Sequence, residues 1–108
     1  MTMDAKKRKR LEAAGWTVGE ARDFLKLTPD EAALVEMRLA LSRSLRERRL
    51  DAGLTQIAFA KQLGSSQSRV AKLEAGDASV SLELLIRALL VVGASRKDVA
   101  HALVRRVA

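Results

Sequence analysis

One stretch of the sequence, residues 54–76, constrains the possible folds more than any other. It reads LTQIAFAKQLGSSQSRVAKLEAG, two short helical patterns separated by glycine and serine. Thr55 can cap a first helix, because its hydroxyl accepts a hydrogen bond from a free amide at the helix start. Gly64 can adopt the left-handed conformation that ends this helix. Ser65 then follows as a cap, so we expect a second helix to begin at Ser66.

The second helix, expected over residues 66–75, has two chemically different faces. Val70, Leu73 and the stem of Glu74 fall on one face by the i, i+3, i+4 spacing and should pack inward. Small polar and basic side chains remain on the outside. A face of this kind suits the groove of a nucleic acid. The turn between the helices is predicted to be short and stiff, which is the pattern of a helix-turn-helix.

The spacing T-Q-x-x-x-A-x-x-x-G-x-x-Q-S-x-[VI]-x-x-L-E-x-G across this stretch resembles the Cro and phage-repressor type of DNA-binding domain, the XRE family. Roughly ten constrained positions agree, which is far more specific than a short motif. The resemblance covers about residues 43–93. It implies an all-α, lambda-repressor-like helix-turn-helix bundle that acts as a transcriptional repressor.

Composition agrees with an all-α fold. The chain has 108 residues, of which 48% are hydrophobic and 3% aromatic, with a single proline. This length supports one domain with an aliphatic helical core, and no segment alternates like a β-strand. We expect residues 28–108 to form the DNA-binding domain with a C-terminal helix. Residues 1–27 should form a basic tail and an N-terminal helical extension.

The charge balance favours an anionic partner. The formal net charge is +7 at pH 7, and nucleic-acid binders commonly use Lys and Arg to neutralise phosphates. There is no cysteine, and the longest apolar run, LELLIRALLVVGA, is short and interrupted by two charges. Neither a transmembrane segment nor a signal peptide is therefore predicted. We expect a cytoplasmic, nucleoid-associated protein of prokaryotic or phage origin.

Two interpretations of the N-terminal region stay open. Residues 1–10 end in KKRKR, either a solvated tail or an arm that reaches DNA phosphates, the minor groove or an acidic partner. Thr17 and Glu20 form a capping box that starts a helix. Trp16 and Phe24, together with Val18, Leu25 and Leu27, are expected to pack on the main domain. The alternative is that they bind another protein.

A long helix is predicted from residue 29 to about residue 51. Thr28 can cap it, Pro29 suits its first position, and Glu31 completes a capping box. Ala52 and Gly53 should end it. The expected buried stripe consists of Leu34, Met37 or Arg38, Leu41, Leu45 and Leu50.

Two further helices are predicted after Gly76. Ser79 or Ser81 can cap one over residues 82–92, whose apolar surplus at Leu84, Leu90 or Val91 suggests a self-contact or a partner contact. Ser95 and Asp98 form the capping box of the last helix. Its apolar face, formed by Val99, Leu103 and Val107, either folds back on the fourth helix or makes a dimer.

The resemblance also assigns roles to single residues. It implies that Arg49 pairs with Glu74 as a structural ion pair between two helices. In the major groove, amide, hydroxyl and ammonium groups can contact base edges. The expected base-reading residues are Ser66, Gln67, Ser68 and Lys72. The expected DNA-backbone residues are Gln56, Arg69, Arg43, Arg46 and Lys61. By the resemblance Gln56 can also brace Gln67, and Arg69 either reads a guanine or contacts a phosphate.

The implied partners are double-stranded DNA and a second copy of the chain. One helix reads only a few base pairs, so a dimer on an inverted repeat is expected, with recognition helices about 34 Å apart. An enzyme is not predicted, because His101 is the single histidine and no acid-base or metal constellation can be assembled, and no cofactor is expected. The alternative function is a HigA-like antitoxin that neutralises a RelE or HigB type of toxin and represses its own operon.

Overall fold

The computed structural model describes residues 26–105, which form five helices and no strand. The all-α prediction is therefore confirmed. None of these helices is both long and apolar enough to cross a membrane. The expectations for Thr17, Glu20, Trp16, Val18, Phe24, Leu25 and Val107 lie outside the described residues. The helices are α1 Pro29–Asp51, α2 Gln56–Leu63, α3 Gln67–Glu74, α4 Leu82–Val91 and α5 Arg96–Val104.

Helix α1 begins and ends where its sequence signals predict. The hydroxyl of Thr28 accepts from the Glu31 amide at 3.3 Å, and the Glu31 carboxylate accepts from the Thr28 amide at 3.1 Å. The Thr28 hydroxyl and amide hold the pKa of Glu31 below its ordinary value. At the other end Ala52 is the C-cap, and Gly53 has a φ of 71°. Both capping predictions are confirmed.

The predicted buried stripe of α1 is wrong at its two ends. Leu41 and Leu45 are fully buried, but Leu34 is 54% exposed and Leu50 is 52% exposed. After Leu45, the buried i+4 position belongs to Arg49, so Leu50 is rotated towards solvent. At the start of α1 the buried residue is Ala32, which is 6% exposed, and Leu34 lies about 200° further round the helix and therefore faces solvent.

The core forms where α1 crosses the other helices. Helix α1 packs against α3, α4 and α5, and α2 packs against α3 and α4. Within residues 26–105 the interior is aliphatic around one aromatic ring, as the composition predicts. The largest fully buried side chains are Phe59, Leu41, Leu45, Leu73, Leu85, Leu89 and Val70.

The turn between α2 and α3 corrects the predicted start of α3 by one residue. Gly64 ends α2 with a φ of 69°, as expected. The Ser65 amide donates to the Ala60 carbonyl at 2.9 Å, so Ser65 still belongs to the closing turn of α2. Ser66 is the cap, and its hydroxyl accepts from the Arg69 amide at 3.2 Å. Helix α3 therefore runs from Gln67 to Glu74 rather than over residues 66–75.

Hydrogen bonds identify the caps of α4 and α5. Ser81, and not Ser79, caps α4, since its hydroxyl accepts from the Leu84 amide at 3.0 Å. The helix ends at Val91, one residue earlier than predicted. The predicted capping box of Ser95 and Asp98 is confirmed at 2.8 and 3.0 Å, and the backbone amide of Ser95 lowers the pKa of the Asp98 carboxyl.

A buried hydroxyl on α1 leads to a stability prediction. Ser42 is 2% exposed, and its Oγ has no hydrogen-bond partner within residues 26–105. An unpaired buried polar group costs about 1–3 kcal/mol, so Ser42→Ala should raise the free energy of unfolding by about 1 kcal/mol in urea denaturation. Ser95→Ala is the control and should lower it by about 1 kcal/mol, because it removes a helix cap. A loss of stability in Ser42→Ala would contradict this account.

Candidate nucleic-acid interface

Helix α3 shows a buried apolar face and an exposed polar face. Val70 and Leu73 are fully buried against the core. The exposed residues at the start and along the outside of the helix are Ser66, Gln67, Ser68, Arg69 and Lys72. This face carries two cations and no anion, which suits a polyanionic partner.

An ion pair anchors the end of α3 to α1. The Arg49 guanidinium donates through Nη2 to Glu74 Oε1 at 2.9 Å, and through Nε to Glu74 Oε2. The two side chains are only 8% and 4% exposed. The hydrogen bond to Glu74 raises the pKa of Arg49. Arg49 also donates to the Leu54 carbonyl at 2.7 Å. The structure thus brings the two expected residues together. Arg49 holds α3 against α1 and also binds the residue that precedes the cap of α2.

Two glutamines extend this pair to the exposed start of α3. Gln56 Nε2 donates to Glu74 Oε1 at 3.2 Å, and Gln67 Nε2 donates to Gln56 Oε1 at 2.7 Å. An ionised carboxylate can only accept, so Gln56 must turn its NH₂ group towards Glu74. Its carbonyl oxygen is therefore left to accept from Gln67. We call Arg49, Glu74, Gln56 and Gln67 the amide relay.

The amide relay decides which groups Gln67 retains for a ligand. One Nε2 hydrogen is used on Gln56, and no other hydrogen bond within residues 26–105 engages the Gln67 amide. The Oε1 acceptor and the second Nε2 hydrogen remain. This is one acceptor beside one donor, the complement of the N6–H donor and N7 acceptor that adenine presents in the major groove.

A groove of about 450 Å³ lies beside the exposed face of α3. Its polar lining consists of Ser66, Ser68, Arg69, Lys72, Ser79 and Ser81. Hydroxyl, guanidinium and ammonium groups are all hydrogen-bond donors, so the groove can receive an anion. Sequence reasoning considered Ser79 and Ser81 only as helix caps. It could not place them opposite α3, because that proximity depends on how α3 and α4 pack.

Three predicted DNA-backbone residues are not part of either arrangement. Arg43 and Arg46 are exposed on α1, and Lys61 is exposed in the last turn of α2. Within the part of the chain that the structure describes, none of the three forms a hydrogen bond or ion pair with the amide relay or the groove. Their DNA roles stay predictions.

The described residues contain no cluster of three or more His, Cys, Asp or Glu side chains that could hold a metal ion. His101 is exposed on α5.

The chain was compared with known protein families, curated proteins and solved structures. A helix-turn-helix family model matches residues 45–102, more than half of the chain. The matched region begins in the second half of α1 and ends within α5, so it contains α2, α3 and the loop that follows. Neither a curated protein nor a solved structure matches the chain.

Proposed function

The chain belongs to the XRE/Cro type of helix-turn-helix DNA-binding transcription regulators, and on this premise we propose that it is a sequence-specific repressor that reads DNA through α3. In helix-turn-helix proteins the second helix enters the major groove while the first crosses the backbone. Here those helices are α3 and α2. The observation that carries the proposal is the amide relay, which holds Gln67 at the start of α3.

The proposal gives the polar side chains of α3, α2 and α1 separate roles. Gln67 contacts adenine, and Ser66, Ser68 and Lys72 contact neighbouring base edges. Gln56 holds Gln67 and also contacts the DNA backbone, together with Arg69, Arg43, Arg46 and Lys61. Base contacts supply specificity, while backbone contacts supply position and affinity.

The proposed working form is a homodimer on an inverted repeat. Helix α3 has eight residues and can read only a few base pairs, so a single copy would discriminate poorly. Exposed apolar side chains at the ends of α4 and α5 are available for a contact between copies. They are Leu90, Val91 and Val104, which are 44%, 39% and 77% exposed. The protein acts in the cytoplasm at the nucleoid, without a catalytic role.

The antitoxin alternative depends on residues 1–25. These carry Trp16 and Phe24, which would bind the toxin in this alternative and which lie outside the described residues. A small basic ribonuclease-like reading frame beside this gene would favour the antitoxin. Its absence would favour the repressor without a toxin.

Selection of bound DNA from a random pool, followed by footprinting at defined salt, tests the proposal. We expect an enriched inverted repeat whose half-sites lie about one helical turn apart and contain an adenine under Gln67. An enriched motif without symmetry would contradict the dimer. The absence of any enriched motif would contradict sequence-specific binding altogether.

Arg46→Ala should weaken binding to operator and random DNA alike. A phosphate contact releases condensed counterions, so losing one should reduce the slope of log K against log salt by about 0.9. Titration of labelled duplexes between low and moderate salt measures this slope. Arg96→Ala removes an exposed arginine at the start of α5 and should leave the slope unchanged. Equal slopes for the wild type and Arg46→Ala would remove Arg46 from the interface.

A further inference from the structure

Arg38 joins α1 to the loop that follows α3. Its Nη1 atom donates to the Val80 carbonyl at 2.7 Å and to the Asp77 carbonyl at 3.3 Å. Arg38 is half-buried, and this burial lowers its pKa while the Asp77 carboxylate opposes the shift. Arg38 precedes the region that the family model matches. It therefore reaches into the helix-turn-helix part of the chain from outside it.

The loop held by Arg38, residues 75–81, is bonded to α3 at its start and closed by a hydrogen bond of its own further on. The Asp77 amide donates to the Lys72 carbonyl at 3.0 Å, and the Asp77 Oδ1 atom accepts from the Ser79 amide at 2.8 Å. The side chains of Asp77 and Val80 are both buried at 7% exposure. The start of the loop is therefore fixed to α3, whereas the position of residues 79–81 relative to α3 depends on the burial of Val80 and on the hydrogen bonds from Arg38.

This loop forms the wall of the groove that faces α3. Ser79 and Ser81 line that wall, while Arg69 and Lys72 line the side of α3. A phosphate group between the two sides could accept hydrogen bonds from hydroxyls on one side and from charged donors on the other. A phosphate can accept from both sides at once only if the width of the groove stays constant.

We propose that Arg38 is a positioning residue for DNA binding, which holds the Asp77 and Val80 carbonyls so that the groove between α3 and the loop receives one phosphate of the DNA backbone. The proposal rests on the proposed function, because it takes the groove to face DNA. Arg38 itself does not contact the nucleic acid. A single guanidinium Nη1 reaches both carbonyls, so it constrains the loop at two points.

The test compares wild-type protein with Arg38→Met, Arg38→Lys and the control Arg87→Met. Arg87 is an exposed arginine on α4, so its replacement removes the same charge without touching the loop. Each protein is titrated against the selected operator and against duplexes in which one phosphate at a time is a neutral methylphosphonate. Circular dichroism at the binding temperature establishes that each variant is folded.

The wild type should lose about two- to tenfold in affinity when the phosphate at the groove is neutral, the effect of one lost hydrogen bond to a phosphate. Arg38→Met should bind the intact operator about two- to tenfold more weakly. Its affinity should then be the same whether the phosphate at the groove is charged or neutral. Arg87→Met should respond as the wild type does. Arg38→Lys should be intermediate, because its ammonium cannot bridge both carbonyls as a guanidinium does.

A folded Arg38→Met that keeps the wild-type response at that phosphate would overturn the proposal, since a merely stabilising arginine predicts this result. If Arg38→Met does not fold, the same comparison is made with Arg38→Lys. The proposal would then be overturned if Arg38→Lys loses as much affinity as the wild type when the phosphate at the groove is neutral. The inference would also be wrong if the wild type binds the operator but no single methylphosphonate beside α3 lowers its affinity. A wild type that binds no DNA would instead contradict the proposed function.

Discussion

Arg49→Ala should lower the free energy of unfolding by about 3–5 kcal/mol, the cost of leaving one partner of a buried ion pair without the other. The Glu74 carboxylate is only 4% exposed, so water cannot replace the two lost hydrogen bonds. The Leu54 carbonyl loses its donor as well. Urea denaturation followed by circular dichroism measures the change. Small domains have only about 5–15 kcal/mol of stability, so this is a large fraction of the total.

Arg48→Ala is the matched control on the same helix. Arg48 lies 3.4 Å from Asp98, but these side chains are 35% and 42% exposed. Exposed ion pairs contribute about 0–1 kcal/mol, so this variant should remain close to the wild type. The double variant Arg49→Met with Glu74→Leu should recover much of the loss, because no charge is left buried. Similar losses for Arg48→Ala and Arg49→Ala would show that the buried pair is not a main source of stability.

Gln67→Ala should reduce the preference of the protein for its operator over random DNA by roughly 5- to 150-fold, the equivalent of one bidentate base contact. Binding to random DNA should change little, since the phosphate contacts remain. Competition titrations at one salt concentration measure both affinities. The loss should be small on an operator whose adenine under Gln67 has already been replaced, because the contact is then absent from both complexes.

The matched variants are Gln56→Ala and Gln62→Ala. Gln56 accepts from Gln67 at 2.7 Å, so its removal frees the reading side chain and should lower discrimination without changing the preferred base. Gln62 is an exposed glutamine on the same helix and should have no effect on preference. If Gln67→Ala loses equal affinity on operator and random DNA, Gln67 does not read a base.

Helix boundaries were predictable wherever one cap decides them. Thr28, Thr55 and Ser95 each accept a hydrogen bond from an amide three residues ahead, so the determining atoms all lie within one turn. The start of α3 was missed because both Ser65 and Ser66 can cap. The choice between them follows from the bond of the Ser65 amide to the Ala60 carbonyl, a closure of α2 rather than a property of either serine.

Burial along α1 was less predictable, because the apolar period does not show which side chain of the first turns is covered, and the buried one is Ala32 rather than Leu34. Leu34 and Leu41 fit the same stripe, yet one is half exposed and the other fully buried. Periodicity shows which face of a helix can pack, but the length of that face in contact depends on the neighbouring helices. The stripe also ends at Arg49, a charged residue in a buried position. Its partner Glu74 is 25 residues away, so the apolar period of α1 does not reveal it.

The sequence by itself determined the five helices, the caps of α1, α2 and α5 and the polar outer face of α3, because these follow from interactions between residues three or four apart. The motif spacing in the sequence also led to the expectation that Arg49 pairs with Glu74 and that Gln67 contacts a base. Only the tertiary structure decided the direction of the hydrogen bonds in the amide relay, the serine wall of the groove and the attachment of the loop to Arg38. The hydrogen bonds of the amide relay and of Arg38 join residues 11 to 42 apart, and the groove depends on how α3 and α4 pack, which local patterns do not determine.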